Sequence, residues 1–229
     1  MNLLAIDTAT EACSAAVLSE GRLHERYQLA PREHNRLTLP MVSELLKESG
    51  VEPAELDAIA FGCGPGSFTG VRIAAGVAQG IAFGLGLPVI PISTLAALSL
   101  EAMDTEGVEL SYACIDARMN EVYWGVYERE GGGGVRLVGC ESVMPPADVI
   151  GLQGKSGVGV GSGWATYPDV LSDQLGADLG NVLPDRFPRA AFIAKLGALS
   201  LKHGGGLPAE QALPVYLRDN VARKPDKRP

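Results

Sequence analysis

The chain carries the same arrangement of strands and turns twice, once in each half of its 229 residues. Each copy has three apolar or alternating segments separated by short turns, and then a glycine-rich strand end. The three segments are 2–7, 12–18 and 22–29 in the first half, and 112–116, 121–127 and 135–143 in the second. Ala5-Ile6-Asp7 aligns with Cys114-Ile115-Asp116, and the glycine-rich ends fall at 61–66 and 158–163. The repetition predicts a diverged duplication, although two unrelated meanders would give a similar pattern.

The segment Phe61–Ala75, FGCGPGSFTGVRIAA, runs from a strand end through a glycine-rich turn into a helix. Ser67 and Thr69 are typical capping residues, which predicts a helix that starts near Gly70. The amides at such a helix start suit an anion. The spacing nevertheless lacks the lysine of a P-loop, since valine and arginine stand in its place, and it lacks the third glycine of a dinucleotide-binding fingerprint. We therefore favour a structural strand-to-helix corner over an anion site.

The composition limits the classes of function that the chain can serve. Hydrophobic residues make up 46% of the chain, which is typical of a well-packed α/β protein. With 19 basic and 27 acidic side chains the net charge is -8, so we expect any nucleic acid to be presented by a partner and not bound by this chain alone. The wide spacing of the four cysteines predicts neither a zinc cluster nor a disulfide framework.

The N-terminus and the longest uncharged stretch bear on location. The first residues, MNLLAIDT, lack the basic start and long apolar core of a signal peptide, so we expect a cytoplasmic protein. Residues 73–100 contain no charge, but glycines together with Pro88 and Pro91 divide them into a helix, a short strand and a second helix. No unbroken span of the ~20 residues needed to cross a bilayer remains. We expect buried core here and no membrane partner.

Two stripes run along the helix predicted at 70–85. The apolar stripe is Ile73, Val77, Ile81 and Leu85, and the glycine stripe is Gly76, Gly80 and Gly84. Each glycine costs a helix about 0.5 to 1 kcal/mol relative to alanine. Three glycines on one face indicate that another backbone comes close, either from this chain or from a helix of a second subunit.

Together these residues resemble the TsaB (YeaZ) family, bacterial proteins of the actin-like ATPase (ASKHA, RNase H-like) architecture that help to make threonylcarbamoyladenosine in tRNA. The segments that carry the resemblance are 3–18, His34 with 37–40, GPGSFTGVRIA at 64–74, 115–118 with 121–123, and 214–218. The resemblance implies an α/β fold of two duplicated actin-like lobes, each a mixed β-sheet with flanking helices. It implies a dimer-forming N-terminal lobe at 1–103, a C-terminal lobe at 104–223 and a flexible tail at 224–229.

The resemblance further implies a non-catalytic partner subunit of the complex that transfers a threonylcarbamoyl group to adenosine in tRNA. The expected partners are a catalytic TsaD-type paralogue and a TsaE-type ATPase, with a homodimer when the chain is alone. The tRNA is expected to be contacted only indirectly. The expected interface lies on the glycine-striped helix and comprises Gly70, Arg72, Ile73, Gly76, Val77, Gly80, Ile81 and Gly84.

In ATPases of this architecture, an acid followed by a glycine-bearing turn holds metal and phosphate. Both copies of that turn are altered here, because Asp7 precedes a turn without glycine and Asp116 precedes a bulkier one. The candidate vestigial nucleotide-binding residues are Asp7, Thr8, Thr10, Asp116, Gly159, Gly161 and Gly163. The alternative function is a weak ATP-binding protein or ATPase. ATP or ADP with Mg²⁺, at the interface of the complex, is the candidate cofactor.

A glycoprotease-like peptidase is less favoured, because the metal ligands of such an enzyme are missing. The three histidines form no HExxH motif, and Thr38 stands four residues after His34, where a second ligand would be needed. We interpret His34 as a cap or surface residue. Ser67 lies at a suggestive turn, but GPGSFTG is not GxSxG, and the sequence assigns it no histidine and acid partners. No catalytic residue and no metal ligand is predicted.

Overall fold

Two mixed five-stranded β-sheets form the framework of the computed structural model, which describes residues 1–218. The strands of the first sheet are β1 Asn2–Asp7, β2 Ala12–Ser19, β3 Arg22–Leu29, β4 Ala58–Gly64 and β5 Val89–Ser93. Strands β1 to β3 are antiparallel neighbours, whereas β4 and β5 run parallel to β1, in the order β3-β2-β1-β4-β5. The tail predicted at 224–229 lies outside the described residues.

The second sheet repeats this arrangement with residues from the second half of the chain. Its strands are β6 Leu110–Arg118, β7 Glu121–Glu130, β8 Gly134–Met144, β9 Gly157–Val160 and β10 Leu179–Leu183. Strands β6 to β8 are antiparallel, and β9 and β10 run parallel to β6. Read from β8, the order β8-β7-β6-β9-β10 matches the first sheet strand for strand. The predicted α/β fold of two duplicated lobes is confirmed.

Helices cover both faces of the first sheet. The α-helices within residues 1–218 are α1 His34–Ser49, α2 Phe68–Leu85, α3 Thr94–Glu106, α4 Ser162–Thr166, α5 Pro168–Leu175 and α6 Ala190–Lys202. In β1, Leu4 and Ile6 point toward α1 and α2, whereas Leu3 and Ala5 point toward α6. Successive side chains of a strand lie on opposite faces, so a sheet covered on both faces buries its central strands almost throughout.

The last helix of each half packs on the sheet of the other half. Helix α3 buries Leu95 and Leu98 in a cluster with Ile115 of the second sheet. Helix α6 buries Ile193 in a cluster with Leu3 of the first sheet. Because α6 lies within the segment 104–223, the division expected at residue 103 separates the two sheets but not the helices that cover them.

Helix α2 begins two residues earlier than the sequence predicts. Ser67 is its N-cap, and the Ser67 hydroxyl accepts a hydrogen bond from the Gly70 amide at 3.1 Å. The glycine stripe does not interrupt the helix, which ends at Leu85 and is capped by Gly86 with φ 68°. By length and composition alone, with a mean hydropathy of 1.3, α2 could cross a membrane. Here Ala74 and Ala78 are buried against the first sheet, so the expectation of buried core holds for one face of the helix only.

Gly197 provides a test of the packing of α6 on the first sheet. A β-carbon at this position would lie 2.8 Å from Cβ of Ala60 and 3.1 Å from Cδ2 of Leu3. We expect Gly197→Ala to lower the free energy of unfolding in urea by about 1 to 3 kcal/mol, despite the better helix propensity of alanine. The control is Gly131→Ala, since a β-carbon at Gly131 meets nothing within 4 Å. An equal shift in the two variants would contradict the close packing.

Candidate functional site

Asp7, at the end of β1, is fully buried. Its Oδ1 accepts a hydrogen bond from the Ala9 amide at 3.1 Å, whereas its Oδ2 has no partner among residues 1–218. A β-carbon at Gly62 of the neighbouring strand would lie 1.8 Å from this Oδ2, so only glycine fits beside the acid. Burial raises the pKa of Asp7 from 3.8 to about 7. The first of the two predicted acids is therefore enclosed by the protein.

The glycine-rich loop after β4 seals the turn between β1 and β2. The Ser67 amide donates to the Ala9 carbonyl at 2.7 Å, and the Thr8 hydroxyl donates to the Gly70 carbonyl at 2.7 Å. A β-carbon added at Gly66 would lie 2.4 Å from the Ala9 carbonyl oxygen, and one added at Gly70 would lie 2.0 Å from the Thr8 carbonyl oxygen. These glycines let the loop backbone rest on the turn, which leaves no gap for a phosphate between them. The geometry supports the structural corner over the anion site.

Asp116, the second predicted acid, lies near the end of β6, just before the turn into β7. Oδ1 of Asp116 accepts a hydrogen bond from the Arg118 amide at 2.9 Å. Asp7 makes the equivalent contact with the amide of Ala9, which is also two residues further along the chain. The Arg118 guanidinium donates to Oδ2 of Asp116 at 2.9 Å and to Oε1 of Glu11, in the other lobe, at 3.0 Å. Arg118, Met119 and Asn120 have φ values of 59°, 60° and 61°, all in the left-handed region. Backbone held in this region is common at functional sites and switch regions.

The three glycines predicted near a nucleotide lie where β9 passes into α4. A β-carbon added at Gly159 would lie 2.7 Å from the Trp164 ring. One added at Gly161 would lie 2.4 Å from the Cys114 carbonyl oxygen, and one added at Gly163 would lie 2.2 Å from the Cys114 sulfur. As in the first half, the glycines allow this corner to pack closely on the first strand of its sheet.

A cleft of about 1090 Å³ lies between the two lobes. The first lobe contributes Thr10 and Glu11 to its walls, and the second contributes Asp116 and Arg118. The cleft thus brings together Thr10 and Asp116 of the predicted nucleotide-binding set. The other members, Asp7, Thr8 and the three glycines of the second corner, do not line it.

The residues of the cleft do not fit the Mg²⁺ ion that an actin-like ATPase would use. The carboxylate of Asp116 is already bound by Arg118, so the cation position beside it is filled by a guanidinium. The carboxylate of Asp7 faces the interior of its lobe. Within residues 1–218, no group of three or more His, Cys, Asp or Glu side chains is placed to hold a metal ion.

The candidate residues for hydrolysis, His34, Ser67 and Cys63, are not placed for that chemistry. The interpretation of His34 as a cap or surface residue is wrong, because the side chain is buried and its Nε2 lies 3.2 Å from the Ala12 carbonyl oxygen. The Ser67 hydroxyl serves as a helix cap. Burial raises the pKa of the Cys63 thiol to about 12, which removes the thiolate that a nucleophile needs.

The predicted interface residues of α2 fall on two sides of the helix. Gly76, Gly80 and Gly84 face outward, and a β-carbon at any of them meets nothing within 4 Å. Gly70 faces inward, against the sealed turn. Phe83, which the sequence reasoning omitted, is 71% exposed beside the glycine stripe. Its position three residues after Gly80, one helical turn away, is the signal that would have found it.

Two further residues escaped sequence reasoning. Arg118 belongs to a segment that carried the family resemblance, but nothing in its spacing indicates that it bridges to Glu11 across the cleft. Tyr216 lies in the segment 214–218, and its hydroxyl accepts a hydrogen bond from Nε of Arg72 at 2.7 Å. Both contacts join residues that are more than a hundred positions apart in sequence, so no local pattern could reveal them.

Comparisons with known proteins agree with this architecture. A family model described as TsaD, tRNA N6-adenosine threonylcarbamoyltransferase, matches residues 12–180. The tRNA threonylcarbamoyladenosine biosynthesis protein TsaB of Escherichia coli is 44% identical, over 98% of this chain and 97% of the relative. The chain belongs to the TsaB (YeaZ) family. The family predicted from the sequence motifs is thus confirmed.

Two other members of the family match over nearly the whole chain. The protein of the same name from Haemophilus influenzae is 41% identical, over 98% of this chain and 96% of the relative. The solved structure of YeaZ from Pseudomonas aeruginosa has a TM-score of 0.86 and 45% identity, covering 94% of this chain and 99% of that one. The two-lobed fold is therefore shared by a relative with a solved structure.

The buried acid gives a prediction about pH. Because the pKa of Asp7 is raised from 3.8 to about 7, the folded chain keeps a proton that the unfolded chain loses between these values. Asp7 therefore lowers the free energy of unfolding as the pH rises from about 4 to about 7, and has no such effect below about pH 4, where both states are protonated. As the pH rises from about 4.5 to about 7.5, we expect the free energy of unfolding of Asp7→Asn to increase by at least about 1 kcal/mol relative to that of the unchanged chain.

Urea denaturation at several pH values measures this difference. The matched control is Asp173→Asn, which makes the same chemical change at an exposed position of α5. The pH dependence of the control should follow that of the unchanged chain. A parallel pH dependence for Asp7→Asn as well would show that Asp7 ionises as an ordinary carboxylate.

Proposed function

We propose that the chain is a non-catalytic partner subunit of the complex that transfers a threonylcarbamoyl group to adenosine in tRNA. The relatives are tRNA threonylcarbamoyladenosine biosynthesis proteins by name, which supports a role in this tRNA modification. The observation that carries the subunit role is the outward face of α2. Along it, Gly76, Gly80 and Gly84 keep an open groove, although each glycine weakens the helix.

This face suits a second helix. A glycine at every fourth position removes the side chains from one row of the helix surface, so another helix can approach at a short interaxial distance. Val77 and Ile81 are half-buried beside the groove and Phe83 is exposed, and the burial of such apolar surface drives association. Within the described residues nothing covers the groove. We assign it to the catalytic TsaD-type paralogue, and to a second copy of this chain when it is alone.

The interlobe cleft gives less support to the alternative, a weak ATPase. Such an enzyme needs a carboxylate free to hold a metal ion and a turn open to phosphate. Here Arg118 engages Asp116, and the glycine-rich loop closes the turn after Asp7. We therefore assign ATP or ADP with Mg²⁺ to the joint surface of the complex and not to this cleft.

The remaining partners follow from charge and from the family. A net charge of -8 disfavours strong attraction to the tRNA backbone, so we assign tRNA contact mainly to the other subunits. A TsaE-type ATPase completes the proposed complex. Because tRNA modification takes place where tRNA is found, we place the protein in the cytoplasm and give it no membrane partner.

Gly80→Leu tests the assignment of the α2 groove. A leucine side chain would fill the groove and hold the partner helix away, so we expect the chain to elute as a monomer. We also expect its affinity for the purified paralogue to fall by at least about tenfold. Size-exclusion chromatography with light scattering measures the first effect, and calorimetric titration measures the second.

The matched control is Gly131→Leu, which adds the same side chain at an open position in the turn before β8. This variant should elute and bind as the unchanged chain does. If Gly80→Leu also leaves elution and affinity unchanged, the α2 groove is not the interface.

A further inference from the structure

Arg72 is the single charged residue of α2, and its guanidinium lies over the ring of Phe68 and beside the ring of Tyr216. The guanidinium carbon lies 3.5 Å from the centroid of Phe68 and 5.6 Å from that of Tyr216. Its Nε donates to the Tyr216 hydroxyl at 2.7 Å. Arginine stacked in this way makes cation–π contacts and loses part of its rotamer freedom before any partner arrives.

The position of Tyr216 is fixed by both lobes. The neighbouring Val215 amide donates to the Cys63 carbonyl of β4 at 2.8 Å. Two residues further on, Arg218 forms an ion pair with Glu121 of β7. The segment that carries Tyr216 is thus anchored on each side of the ring, and Tyr216 in turn fixes the plane of the Arg72 guanidinium.

The terminal nitrogens of Arg72 remain available. Nε is the guanidinium nitrogen that donates to a side chain or carbonyl within residues 1–218, and no carboxylate of these residues forms an ion pair with Arg72. The rings of Phe68 and Tyr216 are 52% and 47% exposed, and the cluster lies at the surface where the start of α2 borders the interlobe cleft. A planar guanidinium whose two terminal nitrogens are free matches a carboxylate in a bidentate pair.

The acids near this face in the same chain cannot supply that carboxylate. Helix α2 contains no acidic residue. Beside it, the acids at and within α1 are already paired, Glu33 with Arg36, and Glu44 and Glu48 with Arg26. A second copy docked helix to helix through α1 and α2 would therefore offer Arg72 no free carboxylate from these helices. A different protein can offer one.

We propose that Arg72 is the carboxylate-recognising residue of the α2 surface, and that the partner subunit presents an aspartate or glutamate opposite it. This inference rests on the proposed function and adds the chemistry of the partner. The α2 groove supplies the same apolar contact to the paralogue and to a second copy of this chain. Arg72 supplies a charged contact that favours the paralogue, because a single charge at the end of an apolar surface distinguishes between partners and fixes their register.

Arg72→Gln tests the proposal by removing the charge while leaving a polar side chain of moderate length. We expect the affinity for the purified paralogue to fall by about 10-fold or more, with a weaker dependence on salt, because a charge-assisted pair is lost. Self-association should change by less than about twofold. Titration calorimetry at low and high salt, and sedimentation equilibrium of the chain alone, measure these quantities.

Three further variants separate the charge from its setting. Arg22→Gln makes the same change at an exposed position of β3 and should bind as the unchanged chain does. Arg72→Lys keeps the charge but loses the planar fork, so it should recover only part of the affinity. Tyr216→Phe keeps the ring and loses the hydroxyl that orients Nε, which should cost less than Arg72→Gln.

The outcomes separate this inference from the function on which it rests. If the unchanged chain does not bind the paralogue, the proposed function fails, and this inference fails with it. If the unchanged chain binds but Arg72→Gln binds as well as Arg22→Gln, only the role of Arg72 is overturned. The same holds if self-association weakens as much as partner binding. If partner binding persists while the assembled complex loses affinity for tRNA, Arg72 contacts phosphate and the carboxylate assignment is wrong.

Discussion

The contact between the glycine-rich loop and the turn after β1 determines how the first lobe can be used. Gly66 and Gly70 bring the loop backbone onto the carbonyl oxygens of Ala9 and Thr8, where any larger residue would clash. This contact encloses Asp7, fills the space in which an actin-like ATPase would hold phosphate, and sets the point from which α2 departs along the sheet. A feature that suggests anion binding in the sequence therefore serves to pack two turns together.

The second lobe reaches a similar result by a different route. Its turn remains open to the cleft, but Arg118 lies between Asp116 and Glu11 and joins the carboxylates of the two lobes. The two halves are also held together by α3, which packs on the second sheet, and by α6, which packs on the first. With the cleft bridged by an internal cation, the outward face of α2 remains without a contact in the described residues. We therefore place the proposed interface there.

The fold could be predicted well from the sequence because its signals are local. The repeated strand pattern and the Asp near the end of each first strand indicate which strands correspond, and Ser67 marks the start of α2. Contacts between distant residues could not be predicted in this way. The sequence shows that α6 is apolar but not which sheet it covers, and it shows three glycines in α2 but not that they face outward. His34 was misread because its partner, the Ala12 carbonyl, is twenty-two residues away.

Hydrogen–deuterium exchange of the chain tests most directly whether its function lies on α2 or in the cleft. The exchange of backbone amides would be compared for the chain alone, with the catalytic paralogue, and with ATP and Mg²⁺. We expect the paralogue to slow exchange in α2, and ATP with Mg²⁺ to leave the turns at 8–11 and 117–120 unchanged. Slower exchange in those two turns on addition of ATP and Mg²⁺, with α2 unaffected by the paralogue, would contradict a partner subunit and favour a nucleotide-binding enzyme.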